Sequence, residues 1–476
     1  MIGKTNALVG GGGPSPSGTI QISSNGIYDV GSYASASVSV PQTSTEPTAV
    51  ELVNGTISYF SDSTIMSLRS YMFYNCTSLS QCILNSSAYY IESYTFYRCF
   101  NLLDLSCLST GGLTDVGSYA FAWCTNLSTN VSVRSNYNFN IGAYAFANCS
   151  NITTVSLYTS AVGNNMVSLS AFCNCSNLSS IYISTSFIGD LQGAFIGTAI
   201  PFIDDSINFN PAKNYPASYV IPSMCFASCS QISYVKLQSS QYRIIGMSAF
   251  MYNNALRSVY GSNVTNIHNS AFNNCANLVQ ATFPVATNIG SLTFNNCSSL
   301  LSFSCSTLTY MGGSAFYNCG GLKYINTPKV SICYSRTFNG CSNLLYVNCR
   351  SVFSINSTAF AGCSALKSYM VVTSSQFRLI GSYNFQQCFY LESFYLFTTS
   401  TIAMSNIAAF GMTPLSNSTY LGYYGSIYVR QSLLSSYQTV TNWAAYSDRM
   451  VGLTDEQVSA IISAYDAVTY EDVVGE

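Results

Sequence analysis

Large apolar residues recur along the chain at a fixed interval. Through the centre of the sequence a phenylalanine returns every 22 residues, at Phe272, Phe294, Phe316, Phe338 and Phe360. A cysteine follows each of them three positions later, and a leucine follows six positions later. An apolar frame with such a short period predicts a structural repeat rather than a set of independent domains.

The same frame extends in both directions to fifteen copies. The interval widens to 23–26 residues toward both ends, and the interval from Phe195 to Phe226 reaches 31 residues. One copy is too short to bury its own phenylalanine and leucine, so neighbouring copies must stack as a solenoid. The phenylalanines of the fifteen copies are Phe73, Phe96, Phe121, Phe146, Phe172, Phe195, Phe226, Phe250, Phe272, Phe294, Phe316, Phe338, Phe360, Phe385 and Phe410.

Each copy predicts one coil that contains a strand and a tight turn. After the leucine, apolar and polar residues alternate, as in residues 178–183, 232–237 and 344–349, which is typical of a half-buried strand. The closing Ser-Ala-Phe-x-x-Cys segment, such as residues 314–319, is too short for a full α-helix, so we expect a short helical turn. Strands of successive copies would pair in parallel, with the phenylalanines, cysteines and leucines inside.

These units resemble the BspA-like leucine-rich repeat, whose consensus runs Ile-Gly-x-x-Ala-Phe-x-x-Cys-x-x-Leu-x-x-Ile-x-Leu. Residues 141–157 and 289–303 match it closely, and the resemblance covers roughly residues 55–430. It implies an α/β repeat solenoid of about fifteen coils, curved and right-handed, with a parallel β-sheet face and short helical turns. Family members are mostly surface or secreted adhesion proteins, and many gut bacteriophages carry them. Three copies depart from the consensus at the cysteine position, with Thr198 and Thr413 in two of them and no cysteine after Phe250 in the third.

The N-terminal residues differ from the repeats. Residues 1–18 contain a Gly/Pro linker, and residues 19–48 predict a small β module and linker, with short strands around an Asn25-Gly26 hairpin turn. This stretch resembles a β motif at the front of tail-associated proteins of gut phages. We interpret it either as an attachment module or as a simple cap for the solenoid, which we assign to residues 49–429.

Residues 430–476 predict a C-terminal cap with a helix and a loose acidic tail. A solenoid needs such a lid, because its last coil otherwise exposes an apolar face and unpaired strand edges. Thr454 and Gln457 form the pattern of a capping box at a helix start. The apolar face of that helix is predicted to consist of Val458, Ile461, Ile462 and Tyr465.

The charge of the chain argues against several function classes. Only 7% of the 476 residues are charged, with 16 basic and 18 acidic side chains, so no basic patch for nucleic acid is expected.

The sequence contains no run of eighteen apolar residues, so we expect no membrane span. Residues 1–9 are too short and polar for a signal peptide. A phage structural protein needs no export signal, because it assembles in the cytoplasm and leaves by lysis.

The 19 cysteines are predicted to be mostly buried thiols. Twelve occupy one repeat position, where they act as small hydrophobic residues; disulfides remain the alternative. Because the chain has a single histidine, we expect no metal site and no cofactor. The twelve are Cys76, Cys99, Cys124, Cys149, Cys175, Cys229, Cys275, Cys297, Cys319, Cys341, Cys363 and Cys388.

The outward strand positions form the candidate binding face. Tyrosines with asparagine and serine between them resemble an antibody paratope in composition, with rigid contact area and adaptable polar groups. The alternative is that tyrosine is simply a good strand residue. If these side chains face solvent, Tyr324→Ala leaves stability nearly unchanged. The candidate residues are Tyr182, Tyr234, Lys236, Tyr260, Tyr324, Asn326, Tyr346, Asn348, Arg350 and Tyr395.

Few residues support catalysis. His268 stands alone, and the adjacent Asp204 and Asp205 would point apart on an extended chain, so glycan cleavage by paired carboxylates is only a remote alternative. We therefore expect no enzyme. The expected function is a virion protein, in a phage tail, fibre or particle surface, that binds a host surface protein or glycan. Its N-terminal segment would contact other virion proteins, and a homo-oligomer is possible. The alternative is a secreted or cell-surface adhesin of a gut bacterium or protist.

Overall fold

The computed structural model describes most of the repeat region and short parts of the N-terminal segment. The described residues are 18–21, 36–39, 59–62, 67–84, 90–105, 115–128, 130–135, 139–159, 165–183, 189–205, 219–373, 379–416 and 424–474. They belong to two compact units, Met1–Ile232 and Ser233–Glu476. Both units are parallel β-solenoids, as the sequence pattern predicts.

In the first unit, each coil contributes a main strand after the repeat leucine or isoleucine and a second strand before the phenylalanine. Neighbouring strands in each sheet of the described residues come from coils that follow each other in sequence. The main strands are Gly18–Gln21, Ala36–Ser39, Tyr59–Asp62, Gln81–Leu84, Asp104–Leu105, Val131–Ser135, Thr154–Thr159, Ser180–Ile183 and Phe202–Asp204. The second strands are Ser67–Leu68, Tyr90–Ile91, Asp115–Val116, Asn140–Ile141, Asn165–Val167, Gly189–Asp190 and Tyr219–Ile221.

The second unit repeats the same arrangement. Its main strands are Tyr234–Leu237, Ser258–Gly261, Gln280–Thr282, Ser302–Ser304, Tyr324–Asn326, Tyr346–Asn348, Ser368–Thr373, Ser393–Thr398, Ser426–Arg430 and Met450–Leu453. Its second strands are Tyr242–Ile245, Asn266–Ile267, Asn288–Ile289, Tyr310–Met311, Ile332–Cys333, Ser354–Ile355, Leu379–Ile380 and Ala403–Met404.

The repeat phenylalanines form the core. All fifteen are fully buried. Within each unit, neighbouring rings lie nearly parallel with centroids between 4.9 and 5.9 Å apart. The copies with threonine in place of cysteine keep this stacking: Phe195 lies 5.6 Å from Phe172, and Phe410 lies 5.5 Å from Phe385. Thr198 replaces the thiol with a hydroxyl that donates to the carbonyl oxygen of Phe195.

The segment around each phenylalanine is a chain of overlapping reverse turns, so the predicted helical turn is wrong for all described copies but the last. In the copy of Phe316, Ser314 and Asn318 have φ of 57° and 58°, and residues at these positions donate backbone N–H groups to the next coil. A helix cannot form where residues alternate into the left-handed region. Asparagine tolerates this conformation better than most residues, which explains the frequent Asn-Cys pair. In the last copy, Ile407–Phe410 forms a 3₁₀-helix.

The cysteines of the repeat position are hydrogen-bond donors as well as packing groups. Sγ of Cys319 donates to the carbonyl oxygen of Phe294, one coil earlier, at 3.0 Å. The same bond recurs at 3.0 to 3.2 Å for each such cysteine from Cys99 to Cys388. All eighteen described cysteines are buried and free, so the structure agrees with the buried-thiol interpretation.

The described N-terminal strands pair as the coils do. Gly18 lies opposite Ala36 in a parallel pair, and Ala36–Ser39 pairs in parallel with Tyr59–Asp62. The Asn25-Gly26 turn and the strand predicted after it lie outside the described residues. In the structure, these short strands are therefore the start of the main-strand sheet of the first unit.

The C-terminal residues close the last coil. Trp443 and Tyr446 are buried, and their rings lie 6.2 and 5.5 Å from the ring of Phe410. Among the described residues, three α-helices follow the last repeat: α1, Leu434–Tyr437; α2, Asp455–Asp466; and α3, Tyr470–Val474. The capping box at Thr454 is present, whereas the end expected to be loose contains α3. Two further 3₁₀-helices are Gln431–Leu433 and Ala444–Arg449.

Removing one ring from the core is expected to be costly. We predict that Phe316→Ala lowers the free energy of unfolding by about 3 to 5 kcal/mol, because it leaves a cavity among buried rings. Tyr260→Ala, on the exposed side of a main strand, is expected to change it by less than about 0.5 kcal/mol. Urea denaturation of both variants measures the difference, and equal losses would reject the assignment of inside and outside.

Alkaline pH is expected to destabilise the solenoid. Burial raises the pKa of the Cys229 thiol to about 11 and that of Cys275 to about 12. The folded state thus keeps its thiol protons to higher pH than the unfolded chain does, with its thiol pKa of about 8.5. The stabilisation is complete below the unfolded pKa and is lost as pH rises toward the folded values. The free energy of unfolding, measured by urea denaturation, should be much lower at pH 11 than at pH 8. Equal values at the two pH values would contradict this prediction.

Candidate functional site

The main strands of both units expose polar and tyrosine side chains between their buried residues. In the first unit, Tyr182 is 54% exposed. In the second, Lys236, Tyr260 and Thr282 occupy neighbouring outward positions, since Lys236 lies opposite Tyr260 and Tyr260 opposite Thr282. Tyr234 is half-buried and lies opposite Ser258. These residues face solvent, as the alternating pattern predicts.

Farther along the second unit, the C-terminal helices cover the same face. Tyr324 and Tyr346 are only 4% and 6% exposed. The hydroxyl of Tyr346 donates to the carbonyl oxygen of Tyr465 in α2 at 2.8 Å, and the hydroxyl of Tyr465 donates to the carbonyl oxygen of Val347 at 2.8 Å. The ring of Tyr324 meets the ring of Tyr470 edge to face at 6.0 Å. These tyrosines therefore already have a partner within the chain.

An apolar contact holds α2 on the main strands Ser368–Thr373 and Ser393–Thr398. Val458 of α2 is buried in a cluster with Met370 and Phe397, which occupy outward strand positions. Tyr395, a candidate residue, packs at the edge of this cluster and stacks on Tyr428 at 5.0 Å. The predicted apolar face of α2 is thus confirmed. The other side chains at the edge of the cluster are Val372, Leu453, Ile461, Ile462 and Tyr465.

Charge also favours this contact. Residues 233–430 contain ten Lys or Arg side chains and one carboxylate, whereas residues 431–476 contain seven carboxylates and one arginine. Ion pairs join Arg350 to Asp466 and Arg430 to Asp455. Because these side chains are accessible to solvent, and Asp455 largely so, each pair contributes little alone. Their positions at the two ends of α2 favour one direction of the helix across the strands.

The hydroxyl groups under the helices are kept as neutral donors. Burial is the main cause that raises the pKa of Tyr324, Tyr346 and Tyr465 above the ordinary tyrosine value. A tyrosine that donates to a backbone carbonyl must keep its proton, so the contact persists throughout the neutral pH range.

The candidate residues therefore divide into open and covered ones. Tyr182, Tyr234, Lys236 and Tyr260 are open, and Asn326 is half-buried at the boundary. The expectation that Tyr324 faces solvent is wrong, and so is the same expectation for Tyr346 and Asn348. Arg350 forms an ion pair with Asp466 of α2, and Tyr395 packs at the edge of the cluster that contains Val458 of α2. Strand alternation shows which side chains point outward, but not which segment folds over them; the outward Met370 and Phe397 were the sequence signal for a cover.

The residues considered for catalysis lie in different units of the chain. Asp204 ends the strand Phe202–Asp204, and Asp205 follows it on the surface. His268 is exposed and, in the described structure, its side chain makes no hydrogen bond or ion pair. Among the described residues, no group of three metal-ligating side chains lies together, and no helix is long and apolar enough to cross a membrane.

Comparison with known proteins identifies the family. The model of the "BspA type Leucine rich repeat region (6 copies)" matches residues 66–200, 219–345 and 329–427, well over half of the chain. The chain belongs to this family of leucine-rich-repeat proteins. Repeat solenoids present extended surfaces that bind other molecules, so the fold is consistent with a role in protein interaction. No curated protein matches the chain.

Several solved structures are similar to this chain. A leucine-rich repeat protein from Bacteroides ovatus has 18% identity and a TM-score of 0.48, over 78% of this chain and 91% of that protein. A leucine rich cell surface protein from Faecalibacterium prausnitzii has 18% identity and a TM-score of 0.39, over 78% and 88%. The pneumococcal vaccine antigen PcpA has 10% identity and a TM-score of 0.30, over 92% and 88%.

Placing a charge under α2 is expected to release it. In Val458→Asp, the carboxylate would be buried against Met370 and Phe397, which carries a penalty of several kcal/mol. A glutamate-specific protease should then cut after Glu456 and Glu471 at least about tenfold faster, because cleavage follows the population of the open form. The matched control is Ser459→Asp on the exposed side of the helix. If both variants are cut at the wild-type rate, α2 is not held by this contact.

Proposed function

We propose that this protein is a non-enzymatic component of a bacteriophage particle, in the tail, a fibre or the particle surface. The open outward strand positions of each unit would bind a protein or glycan on the host surface. The residues that would carry binding are Tyr182 in the first unit and Tyr234, Lys236 and Tyr260 in the second. The covered part of the face would serve the chain's own stability.

The observation that carries this proposal is the contrast between the two parts of the face. Under α2, the outward positions include the apolar Met370 and Phe397 beside Tyr346, whose hydroxyl bonds to α2, which is the pattern of a permanent contact. Outside α2, tyrosines alternate with small hydroxyl residues, as at Tyr260 and Ser258. Exposed tyrosine supplies contact area at low entropy cost, while serine and threonine adapt to a partner's polar groups.

The thiol ladder supports assembly in a reducing compartment. Only a reduced cysteine can donate to a backbone carbonyl, as Cys319 does to Phe294. Disulfides form mainly outside the cytoplasm, where thiols are oxidised. A phage protein folds in the bacterial cytoplasm before lysis, which is the environment that preserves this ladder. The attachment role proposed for residues 19–48 rests on their resemblance to tail-associated proteins.

We expect particles of the phage that encodes this chain to contain it, as detected by mass spectrometry of purified particles. Particles that carry Tyr260→Ser together with Lys236→Ser should adsorb to host cells at least about tenfold less well, since truncation of a binding hot spot typically costs 2 kcal/mol or more. The matched control is Tyr252→Ser, which removes an exposed tyrosine from the turn segment after Phe250.

Two results would contradict the proposal. Absence of the polypeptide from particles, together with its presence on a bacterial or protist cell surface, would favour the adhesin. Equal adsorption by the double variant and the Tyr252→Ser control would show that the open face does not bind the host.

A further inference from the structure

A groove of about 260 Å³ opens on the second strands of the first unit. One column of outward positions runs across these strands in register: Ser67, Tyr90, Asp115, Asn140 and Met166. Three of them, Tyr90, Asp115 and Asn140, line the groove together with Glu92, Ser70 and Ser93. The groove is thus separate from the main-strand face.

The polar groups of the groove are fixed before a ligand arrives. Oε2 of Glu92 accepts hydrogen bonds from the backbone N–H and the hydroxyl of Ser70, at 2.9 and 3.0 Å. Burial raises the pKa of Asp115, and a hydrogen bond from the side chain of Asn140 opposes the shift. Oδ1 of Asn140 is buried and accepts no hydrogen bond in the described structure. A buried acceptor without a donor calls for a partner such as water or a ligand.

An aromatic ring stands beside these groups. Tyr90 is 49% exposed, and in the described structure no other aromatic ring stacks on it. The floor of the groove is backbone, because Gly117 has no room for a side chain: a Cβ there would lie 2.3 Å from the backbone nitrogen of Ser93. The groove therefore offers an available ring and an open backbone floor.

The fold does not require this set of residues. In the second unit, the corresponding column contains Ile244, Asn266, Asn288 and Tyr310 in register, with no carboxylate. The carboxylates of the groove are thus specific to the first unit, and their presence there needs a reason other than stacking of the coils.

A tyrosine ladder begins next to the groove in the sequence. Tyr71 and Tyr94 directly follow the lining residues Ser70 and Ser93, and their stack continues through Tyr119 and Tyr144 with centroids 5.0 Å apart. These four tyrosines have φ near 60°, which is unfavourable for a bulky side chain. Four other coils place serine at this position with the same backbone conformation, and the others place different residues there, from Gly193 to Leu292 and Tyr383. The four serines are Ser170, Ser248, Ser270 and Ser314.

We propose that the groove binds a neutral sugar unit of a glycan, and that the tyrosine ladder contacts the units that follow it. A sugar presents an apolar C–H face to Tyr90 and hydroxyl groups that donate to Asp115 and to Oδ1 of Asn140. A guanidinium nitrogen of Arg69 lies 3.6 Å from Oε1 of Glu92. Because Arg69 offsets the charge of this carboxylate, the groove favours a neutral ligand over a cationic peptide. This inference is independent of the main-strand face.

Saturation-transfer difference NMR of the full chain with methyl glycosides of glucose, galactose, mannose and N-acetylglucosamine tests the proposal. At least one should bind. Asp115→Asn should weaken its affinity by about tenfold or more, as expected for losing a hydrogen bond to a charged group. Tyr90→Ser, which introduces the side chain that the column carries at Ser67, should weaken it by about threefold to tenfold through loss of the ring.

Two controls separate this site from other effects. Met166→Ser changes the same column outside the groove, and Tyr260→Ser changes the main-strand face; neither should alter binding. Circular dichroism confirms that each variant is folded. The proposal is overturned if no glycoside binds, if binding survives in both groove variants, or if Met166→Ser weakens it equally. Binding of a pentalysine peptide in the absence of glycoside binding would likewise overturn it, since the groove would then be a cation site.

Discussion

The phenylalanine of each coil makes its main interactions with neighbouring coils, and the rest of the structure depends on this. Its ring stacks between adjacent rings, as Phe316 does between Phe294 and Phe338. Its N–H donates to the following coil, as from Phe316 to Thr337. Its carbonyl accepts the thiol of that coil, Cys341. No coil can complete its core or its hydrogen bonds alone, so stability resides in the contacts between coils.

This constraint leaves two surfaces free to vary. A main strand must bury alternate side chains, but its outward positions follow other demands: Tyr260 is exposed, whereas Tyr346 lies under α2. On the second strands, the outward column carries Asp115 and Asn140 in the first unit and asparagines in the second. The outward positions of the main strands form the contact with α2 and the candidate binding face. The outward positions of the second strands form the candidate sugar groove.

The fold and core could be predicted because the spacing of phenylalanine, cysteine and leucine is itself a packing requirement. The turn segment could not, since Ser314 and Asn318 adopt left-handed φ while their residue types are also common in short helical turns. The covered half of the face was missed for a different reason. A period-two pattern gives the direction of Tyr324, but burial of that ring depends on Val468 and Tyr470, nearly 150 residues later.

A double-mutant cycle between adjacent core rings tests the central claim most directly. The free energy of unfolding would be measured for Phe294→Leu, Phe316→Leu and the double variant, and again for Phe250 with Phe338, which are not adjacent. Stacking between coils predicts a coupling of about 0.5 to 1.5 kcal/mol for the adjacent pair and none for the distant pair. Additive losses for the adjacent pair would show that the rings stabilise their own coils independently and would contradict the account.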